Sequence, residues 1–452
     1  MLSCHRQEGP VYAASMKAAI AAGHPLSAEA GSRVLANGGN AVDACIAAAF
    51  AAFVAEGPLT GPAGGGFVLT HVDGEPLLLD CFFAVPSRPL GPMDEIVIDF
   101  GDASTQSFHV GEASVAVAGL VAGLEEAHRR HGRLAWAELV GPAIELAAVG
   151  VDVNEAQAFL HLILAGILQR DEGGRRVYGD PERVVTSDLV PTLEGIRDRG
   201  AGAVVELLPE FAADLAAYRV VERDPVRTTF LGHDVLATPE PSRGGGIVAA
   251  ALERLEHARG LGERAAALRD AYATAPPARM AGTTHISVID AAGNAAALSS
   301  TLGSGSGVFR AGAQLNNMLG ERDVIGDARL EPGARLASMM TPTILLEGGR
   351  PRLALGSAGS VRLAGAIAQV TDAAIRGTPL AEAIDAPRIH VDGDVLHLEG
   401  GYPDESPGGW EVVRWAGRNL FFGGVAAVAR TPDGTFAAAG DPRRGGHGIV
   451  VG

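Results

Sequence analysis

GTTHISVIDAAGNAAALSST, Gly282 to Thr301, is the stretch on which the fold turns. His285–Asp290 is a short apolar run rich in β-branched residues, Ala291-Ala292-Gly293 is a turn, and Ala295–Leu302 is a second run, so the stretch predicts two paired strands. A Pro- and Gly-rich break, Thr274 to Gly282, precedes the first strand. A threonine at that boundary has chemistry available to it. If the chain were cut before Thr283, the new α-amino group, with a pKa of about 7.7–8.0, would be partly neutral and able to take the proton of its own hydroxyl. No histidine base is then needed. Gly282 permits the backbone geometry of an N-to-O acyl shift. An ordinary strand entry explains Gly-Thr-Thr equally well, and the residues alone leave both readings open.

Working outward, helical and strand periods alternate along the whole chain without a repeat. Ser27–Ala36 reads as a helix capped by Ser27, and Asn40–Glu56 as a buried helix of Ala, Val and Phe. Phe67–Val72 and Pro76–Phe82 flank Asp73-Gly74-Glu75 as a hairpin. Helices are expected at Leu120–His131, Trp136–Val149, Asn154–Leu168, Leu189–Arg199, Ile247–Arg259 and Gly262–Ala273. After the Thr283–Thr301 pair come strands at Thr341–Leu346 and Arg352–Gly356, a helix at Ser360–Arg376, and strands at Val425–Arg430 and Thr435–Ala439. Strands at both ends with helices between them predict mixed sheets covered by helices, an α+β class.

Composition bounds the function. The 452 residues are 47% apolar, enough for a large core, and 36 basic against 53 acidic side chains leave a net charge of −17. An acidic surface repels phosphate backbones, so no nucleic-acid partner is expected. Cys4, Cys45 and Cys81 are too few and too scattered for a disulfide framework and read as free thiols of a reducing cytoplasm. The longest apolar run, Ala44–Ala55, is too short to span a bilayer and no signal peptide is visible, so a cytoplasmic protein without a membrane partner is expected. HExxH, paired CxxC, P-loop and GxSxG motifs are absent from the sequence, and the thirteen histidines lack ligand spacing, so neither metal nor organic cofactor is expected. Gly64-Gly65-Gly66 and Gly303–Gly307 lack the strand–GxGxxG–helix context of a nucleotide site.

The whole pattern resembles the γ-glutamyltranspeptidase family. The resemblance is carried by Thr283–Thr301 and by LNNMLGERD (Leu315–Asp323), ARLASMMTPTIL (Ala334–Leu345), LALGSAGSVR (Leu353–Arg362) and APRIH (Ala386–His390). HPLSAEAGSRVLANGGNAVDACIAAAF (His24–Phe50) and GPAGGGFVL (Gly61–Leu69) carry it in the first half, in the family's order. It implies a four-layer αββα sandwich of the N-terminal nucleophile hydrolase type, self-cleaved between Gly282 and Thr283 into residues 1–282 and 283–452, the two fragments together forming one unit. Thr283 would be the processing residue and the mature nucleophile, and Thr301 the hydroxyl beside its amine. Gly359 and Ser360 match the family's pair of oxyanion-binding backbone N–H groups. Asn317, Glu321 and Ser338 fall in motifs that contact the substrate's amino and carboxylate groups; structural caps are the alternative for these three.

Departures from the family pattern are also visible. Asp80-Cys81-Phe82-Phe83 places Phe82 where the family has its donor-binding arginine, which removes charge-assisted bonds to a glutamyl carboxylate and suits an apolar or planar group. Gly303 stands for an asparagine, and Met318 for a polar residue. The main expectation is therefore a threonine hydrolase that cleaves an amide or related acyl group of a small metabolite through an acyl-enzyme on Thr283. The resemblance also admits hydrolysis of a C–C bond beside a keto acid, as in relatives from alkylproline antibiotic pathways. An unprocessed, non-catalytic binding protein is the third reading. Assembly into a homo-oligomer stays open.

Overall fold

The computed structural model describes residues 17–88, 90–99, 105–274, 282–321, 330–403, 407–431 and 433–452. In chain order, the first strands and helices are β1 (Ala18–Ala22), α1 (Pro25–Ala36), α2 (Ala41–Ala55), β2 (Gly65–Val72) and β3 (Glu75–Cys81). A helical stretch follows with α3 (Leu120–His131), α4 (Trp136–Val149) and α5 (Glu155–Ile163). Then come β4 (Val221–Arg223), β5 (Val226–Phe230), β6 (His233–Ala237), α6 (Gly244–Leu255) and α7 (Leu261–Tyr272). The second half supplies β7 (Gly282–Ile289), β8 (Ala295–Gly303), β9 (Thr343–Glu347), β10 (Arg350–Ala358) and α8 (Leu363–Ile375). It closes with β11 (Gly424–Arg430), β12 (Phe436–Gly440) and β13 (His447–Val451).

Among the described residues these strands form a seven-stranded sheet, β13-β1-β7-β8-β2-β3-β4, and a six-stranded sheet, β12-β11-β10-β9-β6-β5. Strand alternation explains why four layers result. One core joins Ala19, Ala21, Phe67, Leu69, Ile289 and Ala297 of the first sheet to the second sheet and to α6, α7 and α8. The opposite set, Ile20, Ala22, Val68, Ile286, Val288 and Leu298, packs on α1 to α4. With a side-chain period of two, each strand of the first sheet thus feeds both cores, and apolar residues line both of its faces. Segments before and after Gly282 interleave, since β1 lies between β13 and β7. This is the α+β, αββα arrangement expected.

α2 positions the site from behind. Asn40 caps it by accepting from the backbone N–H groups of Val42 and Asp43 (both 2.9 Å), and the Asp43 carboxylate returns a bond to Asn40 N (3.1 Å). Every residue of α2 is buried. The hairpin turn is Asp73-Gly74, with φ of 52° and 87°, the twist that suits a two-residue connection.

Some expectations need correction. α1 starts at Pro25 with His24 as its cap, because the Ser27 hydroxyl is engaged by Glu56 (2.9 Å) rather than by its own helix. The helix expected over Asn154–Leu168 breaks at Leu164 (φ −87°, ψ 6°). β1, β13, β5 and β6 are strands that the sequence reading lacks. β1 reads Ala-Ala-Ile-Ala-Ala, which has no strand propensity of its own and is extended because β7 and β13 bond both its edges. Cys45 and Cys81 are buried free thiols, burial pushing each up to about 12; Cys4 and residues 275–281 of the break lie outside the described residues. No helix of the described residues is long and apolar enough to cross a membrane.

Candidate functional site

Thr283 sits near the start of β7, 1% exposed, at an irregularity in the ladder. Gly282 pairs with Gly303 and Thr284 with Ser300, so two residues of β8, Thr301 and Leu302, face the single Thr283. Such a bulge re-aims side chains at a strand end. Here it brings the Thr301 hydroxyl onto the carbonyl oxygen of Gly282, to which it donates, while it accepts from Gly303 N (2.8 Å). That carbonyl belongs to the Gly282–Thr283 peptide bond.

A cleft of about 300 Å³ opens over Thr283, lined by Gly23, Glu56, Leu59, His285, Ala358 and Arg444 among others. Gly23 has no room for a side chain, because a Cβ there would lie 2.2 Å from Glu56 Oε2 and 2.5 Å from Thr284 Oγ1. Glu56 follows α2, and its two oxygens accept from Ser27 Oγ (2.9 Å) and Thr284 Oγ1 (2.5 Å). Burial pushes its carboxyl up to about 7, against the pull of those two hydroxyl bonds. His285 is held neutral, since burial lowers it to about 3. Its Nε2 and Nδ1 face Ser287 Oγ and Ser299 Oγ, each at 2.8 Å. Because Ser287 Oγ donates onward to Ala426 O (3.2 Å), Nε2 is the donor and Nδ1 the acceptor. Both ring nitrogens are thus engaged within the sheets and neither serves as a base for Thr283.

The oxyanion candidates lie at the end of β10, whose last residue, Ala358, lines the cleft. Gly359 has φ 121°, and a Cβ there would meet Gly423 Cα at 2.8 Å, so only glycine fits the turn. Ser360 begins the short helical turn that follows, Ser360–Arg362. No group of three or more His, Cys, Asp or Glu side chains able to hold a metal occurs among the described residues.

The family model described as gamma-glutamyltranspeptidase matches residues 27–203 and 263–451. The chain belongs to the gamma-glutamyltranspeptidase family. It is 29% identical to the acylase ACY 1 proenzyme of Pseudomonas sp. (strain SE83), with 97% of this chain and 94% of the relative aligned. It is also 29% identical to the glutathione hydrolase proenzyme of Pseudomonas aeruginosa, over 96% and 94%. The fold is shared with a solved cephalosporin acylase from Bacillus halodurans at a TM-score of 0.80 and 19% identity, covering 99% of each chain. It is accordingly an N-terminal nucleophile hydrolase or transferase of the gamma-glutamyltranspeptidase family.

Against this family background, the binding candidates divide. Asn317 and Glu321 come to the end of β8: a Cβ on Gly303 would lie 2.1 Å from Asn317 Oδ1, 3.1 Å from Glu321 Oε1 and 3.2 Å from Met318 Sδ. Both polar groups hold the Gly303-Ser304 turn. Asn317 Oδ1 accepts from Ser304 N (2.9 Å), and Glu321 Oε1 accepts from Ser304 N (3.1 Å) and Oγ (3.0 Å). Ser338 Oγ accepts from Met340 N (3.1 Å), a local turn bond. None of Asn317, Glu321, Ser338 and Phe82 is among the residues that line the cleft, and Phe82 is turned into the core. Its ring is 1% exposed, stacked on Phe67 (5.4 Å) and edge-on to Phe83 (4.9 Å), so it extends the core between the sheets. A guanidinium does lie behind it: Arg335 Nη1 donates to Phe82 O (3.2 Å), but its charge faces Asp80 (3.6 Å) and the Tyr218 ring (4.1 Å). Glu56 and Arg444 were missed by the sequence reading, since a lone acid after a helix and one arginine in a basic pair carry no pattern.

Proposed function

We propose that the chain cuts itself between Gly282 and Thr283, and that the exposed Thr283 then hydrolyses an amide of a small metabolite through an acyl-enzyme. The observation that carries this reading is the Thr301 hydroxyl donating to the carbonyl oxygen of Gly282. A donor at that oxygen stabilises the negative charge that develops when the Thr283 hydroxyl adds to the carbonyl carbon. The Gly282–Thr283 C–N bond then breaks, the amide nitrogen takes the hydroxyl proton, and an ester joins Gly282 to Thr283. Water cleaves that ester and leaves a Gly282 carboxylate and a free Thr283 α-amine. Residues 1–282 and 283–452 become two chains that stay together because β1 of the first lies between β13 and β7 of the second.

In turnover, the α-amine takes the proton of the Thr283 hydroxyl as it adds to the substrate's acyl carbon. The amine leaving group departs with that proton. The acyl ester is resolved by water, or by an amine in the transfer variant of the same reaction. Backbone N–H groups at Gly359-Ser360 are assigned to the oxyanion, supported by the glycine-only turn beside the cleft. With His285 bonded at both nitrogens, the α-amine is the base within reach of the hydroxyl.

Intact mass measurement on the purified protein beside a Thr283→Ala variant tests the proposal. Two masses corresponding to 1–282 and 283–452, with the variant left whole, are expected. A full-length wild-type mass that persists for days would overturn it and favour a ligand-binding role.

A further inference from the structure

A second space of about 450 Å³ adjoins the Thr283 cleft and shares Gly23, Glu56, Leu59 and Arg444 with it. Its walls are mainly apolar: Pro58, Leu59, Ala156, Leu160 and Leu420, with α5 forming one side. A concave apolar wall with one or two convergent polar groups is the usual form of a small-molecule site.

Of the polar side chains on these walls, His24, Glu56, Gln157, His161, Arg443 and Arg444, the last is the least satisfied. Arg444 Nε is shut off from solvent and has no hydrogen-bond partner, and the side chain's bond to Leu420 O is long, at 3.5 Å. Its neighbours have taken the available carboxylates. Arg388 Nη2 binds Asp441 Oδ2 (2.5 Å), and Arg443 binds Glu399 (2.6 Å) and Asp441 (3.1 Å). Among the described residues Arg444 has no ion pair. Asp441, bound to Arg388 and Arg443, offsets the Arg444 charge only in part, and the other titratable groups on these walls do not cancel it. Burial holds His161 down at about 4 and lowers His24, so both are neutral. Glu56 is engaged by Ser27 and Thr284 and has its carboxyl raised. A half-buried guanidinium whose neighbouring carboxylate, Asp441, is already held by Arg388 and Arg443 is costly to maintain, and an entering anion relieves that cost. On the other side of Thr283, toward β8 and β3, Phe82 is packed in the core and Asn317 and Glu321 bind Ser304.

We infer that this paired cleft is the substrate site, and that the group it takes is an apolar body carrying a carboxylate, the body against Leu160 and Leu420 and the carboxylate on Arg444. The inference deepens the hydrolase reading by naming the substrate class, and rests on it only for the chemistry that follows binding. An N-acylated hydrophobic amino acid places this group in the amine half of the amide; an ω-carboxyacyl amide with an apolar chain places it in the acyl half.

Binding is measured by calorimetry on the whole purified protein with three probes: 3-phenylpropionate, 3-phenylpropanamide, which lacks the charge, and acetate, which lacks the body. The carboxylate probe should bind at least about 10-fold more tightly than either control, as a charge-assisted hydrogen bond implies. Arg444→Met should erase its advantage over the amide, and Leu160→Trp should weaken both phenyl probes by about 10-fold through filling the space. Equal binding of the three probes to wild type, or no binding, overturns the proposal without any variant. Retained preference in a folded Arg444→Met protein overturns it too. If wild type never cleaves and turns over no amide, yet binds the probes in this order, the site stands and the Thr283 reading falls. Turnover of N-acetylphenylalanine against glutaryl anilides then says which half of the substrate carries the group.

Discussion

Replacing Glu56 by glutamine should make the protein more stable above neutral pH and leave it unchanged in acid. The carboxyl is 5% exposed, follows the negative end of α2, and is pushed from an ordinary 4.5 up to about 7 by burial. The folded state therefore holds this proton between pH 4.5 and 7 while the unfolded chain releases it. Stability falls as pH rises through that window, and the loss is complete above it. At about 1.36 kcal/mol per pH unit, the rise is worth about 3 kcal/mol at pH 8. Glutamine keeps the shape, and the hydroxyls of Ser27 and Thr284 can each turn from donor to acceptor, so the exchange itself costs little. The measurement is urea unfolding followed by tryptophan fluorescence at pH 4.5, 6 and 8, with both chains carrying Thr283→Ala so that neither is cut. The two curves should coincide at pH 4.5 and separate by about 3 kcal/mol at pH 8, with the glutamine chain the more stable. A constant difference across the three pH values, or a wild type that gains on the variant as pH rises, would refute the account of a desolvated carboxyl.

Three further outcomes are expected. Thr301→Val removes the donor to the Gly282 carbonyl and should slow fragment formation by about 10²–10³-fold, the usual cost of one oxyanion donor, as read from a time course of intact masses. Gly303→Ala must place a methyl 2.1 Å from Asn317 Oδ1 at φ 70°, so it should displace the end of β8 and also slow cleavage, while circular dichroism shows the same secondary structure. Asp441→Asn in the Thr283→Ala chain leaves the guanidinium groups of Arg388 and Arg443 with Glu399 alone, and should cost about 3–5 kcal/mol in urea unfolding.

How much of this was legible beforehand depended on where each signal is encoded. α3 and α4 are amphipathic at helical spacing, and their expected bounds, Leu120–His131 and Trp136–Val149, match those observed. The β7–β8 pair was readable because β-branched residues alternate around a Gly293 turn with φ 87°. β1 and β13 were not, for they are short edge-to-centre pieces whose extension is imposed by partners far away in sequence: Ile20 pairs with Val288 and with Ile449. The same distinction governs the site. Thr283, Thr301 and Gly359 lie in continuous motifs, so a reading of the chain finds them together.

Glu56 and Arg444 are nearly four hundred residues apart, in segments that share no motif with the threonine, and only the folding of α2 and of the turn before β13 brings both to its cleft. Phe82 shows the reverse failure. A motif position does not say whether a ring faces a ligand or the core, and Phe82, at 5.4 Å from Phe67, faces the core. Where the sequence shows a binding residue lost, its replacement need not stand at the same position. Arg444, with its unpartnered Nε, lines the nucleophile's cleft on the side where α5 and Leu420 leave apolar room, and is the charge we assign in place of the one Phe82 cannot supply.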